Sequence, residues 1–462
     1  MASVDVAVVP RRGAAWDHVG LRRLTLVSLY WVAIGWLWNA LGAQVLPPII
    51  TRMVGQAHQG TALSALEGFG TLVAVVWQPV VGAMSDRTRL RWGRRRPYIA
   101  GGALGSSLFL VIMAFVGSFY WLLIVYFLLQ VASNTAQAPY QGLGPDVIPE
   151  QDFGKFGAFY GMGNLVGTLI GFVVTGIFTA SGQYALALYA MAAMLVVSMV
   201  LTVTLVPDRG RPSAELPRGL GAVTLGTFRI SPRRHGDFLW LMGSRLLILM
   251  GVVGLETYAQ FFFKDVFYPH STNHANAATT YLLAIIVLLA IAICYPAARL
   301  SDRWGRKPMV IVCAVLGAVG ALGLVFSQYA LLPGVLTSPV ESLLGIPRGL
   351  AQVLWFGVPI GLGIGCFLTV DWAFMIDLIP PAEMGRFLGF SNIATAGAGI
   401  IARFIAGPVL DHFNAGAHIL GELGGYPVVF GMFVVYFVAG LFLVLPVTEP
   451  RRRRTLSADP ST

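Results

Sequence analysis

Residues 97–145 read PYIAGGALGSSLFLVIMAFVGSFYWLLIVYFLLQVASNTAQAPYQGLGP, 49 consecutive positions without Asp, Glu, Lys or Arg between Arg96 and Asp146. A helix that crosses a bilayer needs about 20 apolar residues, so this stretch holds two spans and a turn, with Gly117-Ser118 as the turn. A second run of 52 uncharged positions, between Lys155 and Asp208, repeats the arrangement about Ser181-Gly182. The whole chain is of this kind: of 462 residues, 56% are hydrophobic and 11% charged, against about 25% charged in a soluble domain. No aqueous fold could bury that much apolar surface, and an all-α polytopic membrane protein is expected.

Apolar runs place twelve spans near 24–48, 61–84, 98–116, 120–142, 156–179, 184–206, 238–262, 277–298, 309–330, 350–376, 387–410 and 425–446. The net charge of +10 does not point to nucleic acid, because the basic residues sit in short clusters between these runs. With an inside N-terminus, 26 of the 31 Lys and Arg fall in inside segments, and Arg52, Lys264 and Arg348 fall outside. That asymmetry puts both termini in the cytoplasm. The first run follows Arg11, Arg12, Arg22 and Arg23 and carries no small-residue cleavage site, so it reads as a retained helix. Short loops without Asn-x-Ser/Thr sites suit a plasma membrane of the bacterial inner-membrane kind. Cys294, Cys313 and Cys366 all lie in apolar segments and read as packing residues rather than a disulfide frame or metal site.

A polar stretch at 207–236 divides the chain into an N-terminal half (1–206) and a C-terminal half (237–447), with a basic tail at 448–462. The halves echo one another. Ser85-Asp86-Arg87 followed by Trp92-Gly93-Arg94 recurs as Ser301-Asp302-Arg303 followed by Trp304-Gly305-Arg306, and Asp146-x-Ile-Pro with Gly154-Lys155-Phe156 recurs as Asp377-x-Ile-Pro with Gly385-Arg386-Phe387. Parallel repeats of six helices that enclose a central site are a transporter construction. Asp86, Arg87, Arg94, Asp146, Asp302, Arg303, Arg306 and Asp377 are therefore read as gating loop motifs, whose pairs change as one face opens.

The segment from Gly82 through Ser85-Asp86-Arg87 to Trp92-Gly93-Arg94-Arg95-Arg96-Pro97 resembles the loop signature of the major facilitator superfamily. Val76-Trp77-Gln78-Pro79-Val80-Val81-Gly82 running into Gly93–Tyr98, with Val131-Ala132, Asn134, Gln137, Pro139, Leu143 and Asp146, resembles the sucrose transporter branch and its relatives among the glycoside-pentoside-hexuronide cation symporters. The resemblance implies the major facilitator fold and a proton-coupled import of a sugar or glycoside. Two positions depart from it: plant members carry an aspartate at Gln130 and an arginine at Gln141, the branch's proton-coupling and sugar-binding charges.

Gln130, Asn134, Gln137 and Gln141 are spaced by 4, 3 and 4, which puts all four on one face of a helix of about 3.6 residues per turn. A polar stripe on an apolar span is expected to face a cavity, and amides, which donate and accept, suit a neutral polyhydroxylated solute. Asn39 and Gln44 on the first span form a second group. Trp31 and Trp38 read as interfacial anchors. Gly163, Gly167 and Gly171 read as a close-packing face.

Five ionisable residues fall within spans: Glu67, Arg245, Glu256, Asp371 and Arg403. Each costs about 2.5–3.5 kcal/mol at mid-membrane, so pairing or function is expected. Depth along the helices pairs Arg245 with Asp371 near the cytoplasm and gathers Arg403 with Glu256 or Glu67 in the outer half. Glu67, Glu256 and Asp371 are the proton-coupling candidates, and Asp371 joins the amides as a substrate-binding candidate. No phosphate loop, metal-ligand cluster or nucleophile motif occurs, so neither enzyme chemistry nor a cofactor has support. Two other functions stay open: a proton-driven exporter of a small amphipathic compound, and a non-transporting membrane sensor or assembly factor.

Overall fold

The computed structural model describes residues 20–149, 152–208, 235–379, 384–416 and 423–449. The polar stretch at 207–236 and the tail at 448–462 lie almost wholly outside them. Among the described residues there are helices and no strands, because in hydrocarbon each backbone N–H and C=O must be satisfied within its own segment. Twelve helices among the described residues are long and apolar enough to span a membrane: α1 (Leu21–Val54), α2 (Gln59–Arg87), α3 (Arg96–Met113), α4 (Phe119–Val147), α5 (Phe153–Ala180) and α6 (Tyr184–Leu205), then α7 (Gly236–Phe267), α8 (Thr272–Trp304), α9 (Arg306–Val325), α10 (Arg348–Leu378), α11 (Met384–Gly416) and α12 (Tyr426–Val444). Gly182 makes the tight α5–α6 turn with φ +73°, a conformation only glycine adopts freely.

Several helices run past the apolar stretch that defines them. Asp86 and Arg87 belong to the last turn of α2, and Asp302 and Arg303 to the end of α8. These are helix termini rather than loops. An α-helix extends into the interface as long as its backbone bonds persist, whatever its polarity.

The packing repeats with an offset of six. In the first half α1 packs on α5 and α6, α4 on α2 and α3, and α3 on α6; in the second α7 packs on α11 and α12, α10 on α8 and α9, and α9 on α12. The halves meet through α2–α11 and α5–α8, two contacts that the same pseudo-symmetry exchanges. Carboxylates complete the repeat: Asp208, just past α6, accepts from the backbone N–H groups of Arg95 and Arg96 (2.7 and 3.1 Å), and Glu449, just past α12, accepts from those of Arg306 and Lys307. Each offsets the exposed N–H groups at the start of the third helix of its half.

Gly163, Gly167 and Gly171 of α5 lie against Ser28, Val32 and Trp36 of α1, so the backbones approach directly. A Cβ at Gly171 would meet the Trp36 backbone at 2.8 Å. Gly171→Val is expected to destabilise by at least the roughly 1–3 kcal/mol of overpacking, read as a lower melting temperature and a poor yield of monodisperse protein. The tryptophans on α1 differ from expectation. Trp31 packs edge-on to Tyr160 (4.8 Å) and near Tyr140 (6.3 Å), and Trp38 edge-on to Tyr126 (6.3 Å). Both serve helix packing, because α1 is covered by α4 and α5 at those turns.

Candidate functional site

A cavity of about 210 Å³ lies between the halves, walled by α1, α5, α7, α8 and α10, with single residues from α9 and α12. Its lining is chiefly aliphatic with Phe172, Phe262 and Phe430, and its polar members are Asn39, Asn164, Thr168 and Glu256. Asn39 donates to Thr168 Oγ1 (2.8 Å) and to Gly35 O (2.9 Å). The Asn164 amide and the Glu256 carboxylate make no hydrogen bond or ion pair among the described residues. They belong to opposite halves, α5 and α7. Glu256 is the one ionisable residue of this lining, and the charges of Arg403 and Glu67 act on it.

The predicted amide stripe divides. Gln130 and Asn134 are 5% and 2% exposed and do not line the cavity. Asn134 donates to Gln130 Oε1 (3.0 Å), Gln130 to Tyr126 OH (3.2 Å), and Gln78 of α2 to Asn134 Oδ1 (2.6 Å). These two amides join α4 to α2, a role that their spacing alone did not distinguish from cavity lining. Gln137 is half-buried and Gln141 exposed, and neither lines the cavity. Gln44 is fully buried and bridges the halves, donating to Thr280 Oγ1 (2.9 Å) on α8 and Phe172 O (3.2 Å) on α5. Of the seven residues expected to touch solute, Asn39 lines the cavity.

The charged residues pair as depth along the helices suggests. Arg245 forms an ion pair with Asp371, both nearly buried, and its guanidinium also donates to Thr395 Oγ1 (3.0 Å), which ties α7, α10 and α11 together. Arg403 of α11 pairs with Glu67 of α2 at 2.5 Å across the halves. Glu256 stays apart from that pair and faces the cavity.

The α2–α11 contact runs along one face of α2. Gly60 meets Gly407, Ser64 shares a hydrogen bond with Tyr258 of α7 (2.9 Å), Glu67 pairs with Arg403 and Gly68 abuts Phe404. The other contacts between halves fall towards the same end: Asn276 of α8 donates to Thr179 O (2.9 Å) and Tyr184 OH (2.8 Å), and Gln56 and Gln59 donate to Asp265.

At the opposite end the motif charges pair within their own half. Arg94 meets Asp146 (2.6 Å) and Asp86 (3.7 Å), and Arg95 meets Asp86 (3.1 Å) and Asp146. Arg306 meets Asp302 (3.1 Å) and Asp377 (3.5 Å). Arg87 and Arg303 are exposed. The halves are joined at one end and hold separate charge clusters at the other.

Sequence reasoning missed Asn164, Thr168, Asp208, Asp411 and Glu449. Asn164 and Thr168 are one turn apart on α5, and that spacing was the available signal.

The family model of the Major Facilitator Superfamily matches residues 25–403, and the chain belongs to that superfamily. Sucrose transport protein SUT1 of Oryza sativa subsp. japonica is 30% identical over 175 residues, which is 32% of this chain and 32% of that protein. The chain thus matches about a third of the length of that relative. Tetracycline resistance protein, class H, of Pasteurella multocida is 21% identical over 282 residues, 60% of this chain and 67% of that protein. The crystal structure of the nucleoside transporter NupG is similar with a TM-score of 0.64 at 16% identity, over 93% of this chain and 99% of that one. At that identity the likeness speaks for the fold. Together they describe a multi-pass membrane protein of major facilitator fold with a likeness to the sucrose transporter branch.

Proposed function

We propose that the protein is a secondary active transporter that imports a sugar or glycoside with protons, by alternating access to the cavity between its halves, 1–206 and 237–447. Glu256 carries this reading: it is a carboxylate without a partner among the described residues, facing a cavity that both halves wall. An ionised carboxylate is costly in apolar surroundings, so it takes up a proton or a ligand before the site is carried across. A hydroxylated ring satisfies it by donating to the carboxylate and exchanging hydrogen bonds with the Asn164 amide. Gln130 and Gln141 stand where the resembling branch has its charges, and Glu256 supplies a coupling group elsewhere.

The basic clusters support an orientation with the end joined by Asp265, Asn276 and Arg403 outside and both termini in the cytoplasm of a plasma membrane, and in that orientation the described conformation faces inward. A change of state then parts the α2–α11 and α5–α8 contacts and brings the motif charges of the two halves together.

The mainly apolar lining favours a second reading, a proton-driven exporter of a small amphipathic compound. Proteoliposomes given labelled mono- and disaccharides and glycosides under an imposed pH gradient separate the two. Inward, gradient-dependent uptake is the expected result; efflux of amphipathic compounds with no sugar uptake supports the exporter; no flux of any solute removes both and leaves a sensor or assembly factor.

A further inference from the structure

The start of α2 is capped from the other half of the molecule. The residue that precedes this helix, His58, offers no side-chain hydrogen bond to its first turn. The bond comes instead from Asp411, near the end of α11: its Oδ1 accepts from Gly60 N at 2.9 Å and its Oδ2 from Thr61 N at 2.7 Å. Asp411 is 7% exposed, and among the described residues no basic side chain pairs with it. The approach depends on glycine on both helices. A Cβ added at Gly60 would lie 2.7 Å from Gly407 O and 2.8 Å from Asp411 Oδ1.

We infer that Asp411 is the lock of the closed end: it holds α2 against α11 by serving as the N-cap of a helix in the opposite half, and it sets the balance between the two faces of the transporter. Three features of the contact fit a lock. A carboxylate at a helix N-terminus meets both the unpaired N–H groups and the positive end of the helix dipole, so the contact is attractive without a counter-charge. Both partners are backbone N–H groups, so the attraction lasts only while α2 and α11 are in register. When the halves part at this end, water replaces each partner, and the contact can open at a modest cost. A buried Arg–Glu pair such as Arg403–Glu67 lies deeper and is expensive to separate, so the cap is the weaker and more readily broken of the two. The inference rests on alternating access and is independent of the solute and the coupling ion.

The test follows which face of the protein is open. Val252→Cys, at a cavity position, is placed in the full chain with Cys294, Cys313 and Cys366 changed to Ser, and reconstituted vesicles are treated with a membrane-impermeant thiol reagent from either side. With Asp411 present, labelling is expected from the side of the basic loops. Asp411→Ala is expected to raise labelling from the opposite side by about 2- to 30-fold, the range associated with losing a helix N-cap. Asp411→Asn, whose amide oxygen still accepts one bond, is expected to give a smaller increase. Gly60→Ala leaves the carboxylate intact but holds the two helices apart, and is expected to shift labelling in the same direction. It keeps the test decisive if Asp411→Ala does not fold. Unchanged labelling from both sides in well-folded Asp411→Asn and Gly60→Ala proteins overturns the inference.

Discussion

Glu256→Gln is expected to abolish accumulation of solute against its gradient while leaving exchange of solute across the membrane. Glutamine keeps the size of the side chain and its hydrogen bonding to a hydroxylated solute, but it neither binds nor releases a proton in the range a cell offers. A transporter that couples through Glu256 carries the solute with the proton, and one pH unit across the membrane supplies about 1.4 kcal/mol, or tenfold accumulation per proton. In Glu256→Gln that factor falls to unity, whereas counterflow of labelled for unlabelled solute, which needs only site exchange, continues. Uptake driven by a one-unit pH gradient and counterflow, measured in the same proteoliposomes, separate the two quantities. A variant that still concentrates solute tenfold removes Glu256 as the proton carrier. One that loses both activities places it in solute binding.

The twelve spans were legible because a bilayer imposes one length and one composition on everything that crosses it, and the doubled motifs at Asp86 and Asp302 pointed to a repeat of six helices. The ion pairs of Arg245 with Asp371 and Arg403 with Glu67 were legible by a related route: depth follows from rise per residue, and buried charges at one depth need each other. Facing was not legible. Gln130 and Asn134 share a helix face with Gln137 and Gln141, but whether that face meets water or another helix depends on α2, which brings Gln78 to Asn134. The caps supplied by Asp208, Asp411 and Glu449 were invisible for the same reason, since each acts on a helix distant in sequence. The cavity polar groups Asn164 and Thr168 sit in a glycine-rich run that reads equally well as a packing face, which it also is on the side of Gly163, Gly167 and Gly171.

Arg403→Ala is expected to be the most damaging single change in the membrane. Glu67 is 4% exposed and pairs with Arg403 across the halves; without the guanidinium it is a buried charge with no opposite partner. Removing one member of such a pair costs about 3–5 kcal/mol, which shows as a large loss of thermal stability and of folded protein. Replacing both members, as Glu67→Gln with Arg403→Gln, leaves two neutral amides that can bond to one another and is expected to recover most of that loss. Transport by the double variant then separates two roles for Arg403. If the pair only holds α2 to α11, solute accumulation returns with stability. If Arg403 also acts on Glu256, whose electrostatic surroundings it shares, the double variant is stable, opens and closes, and fails to accumulate. The second outcome is expected, because Arg403 supplies the positive charge that acts on Glu256, and a carboxylate that must release its proton on one side needs a nearby positive charge to stabilise the anion there. Melting temperature and gradient-driven uptake measured on the single and double variants complete the cycle.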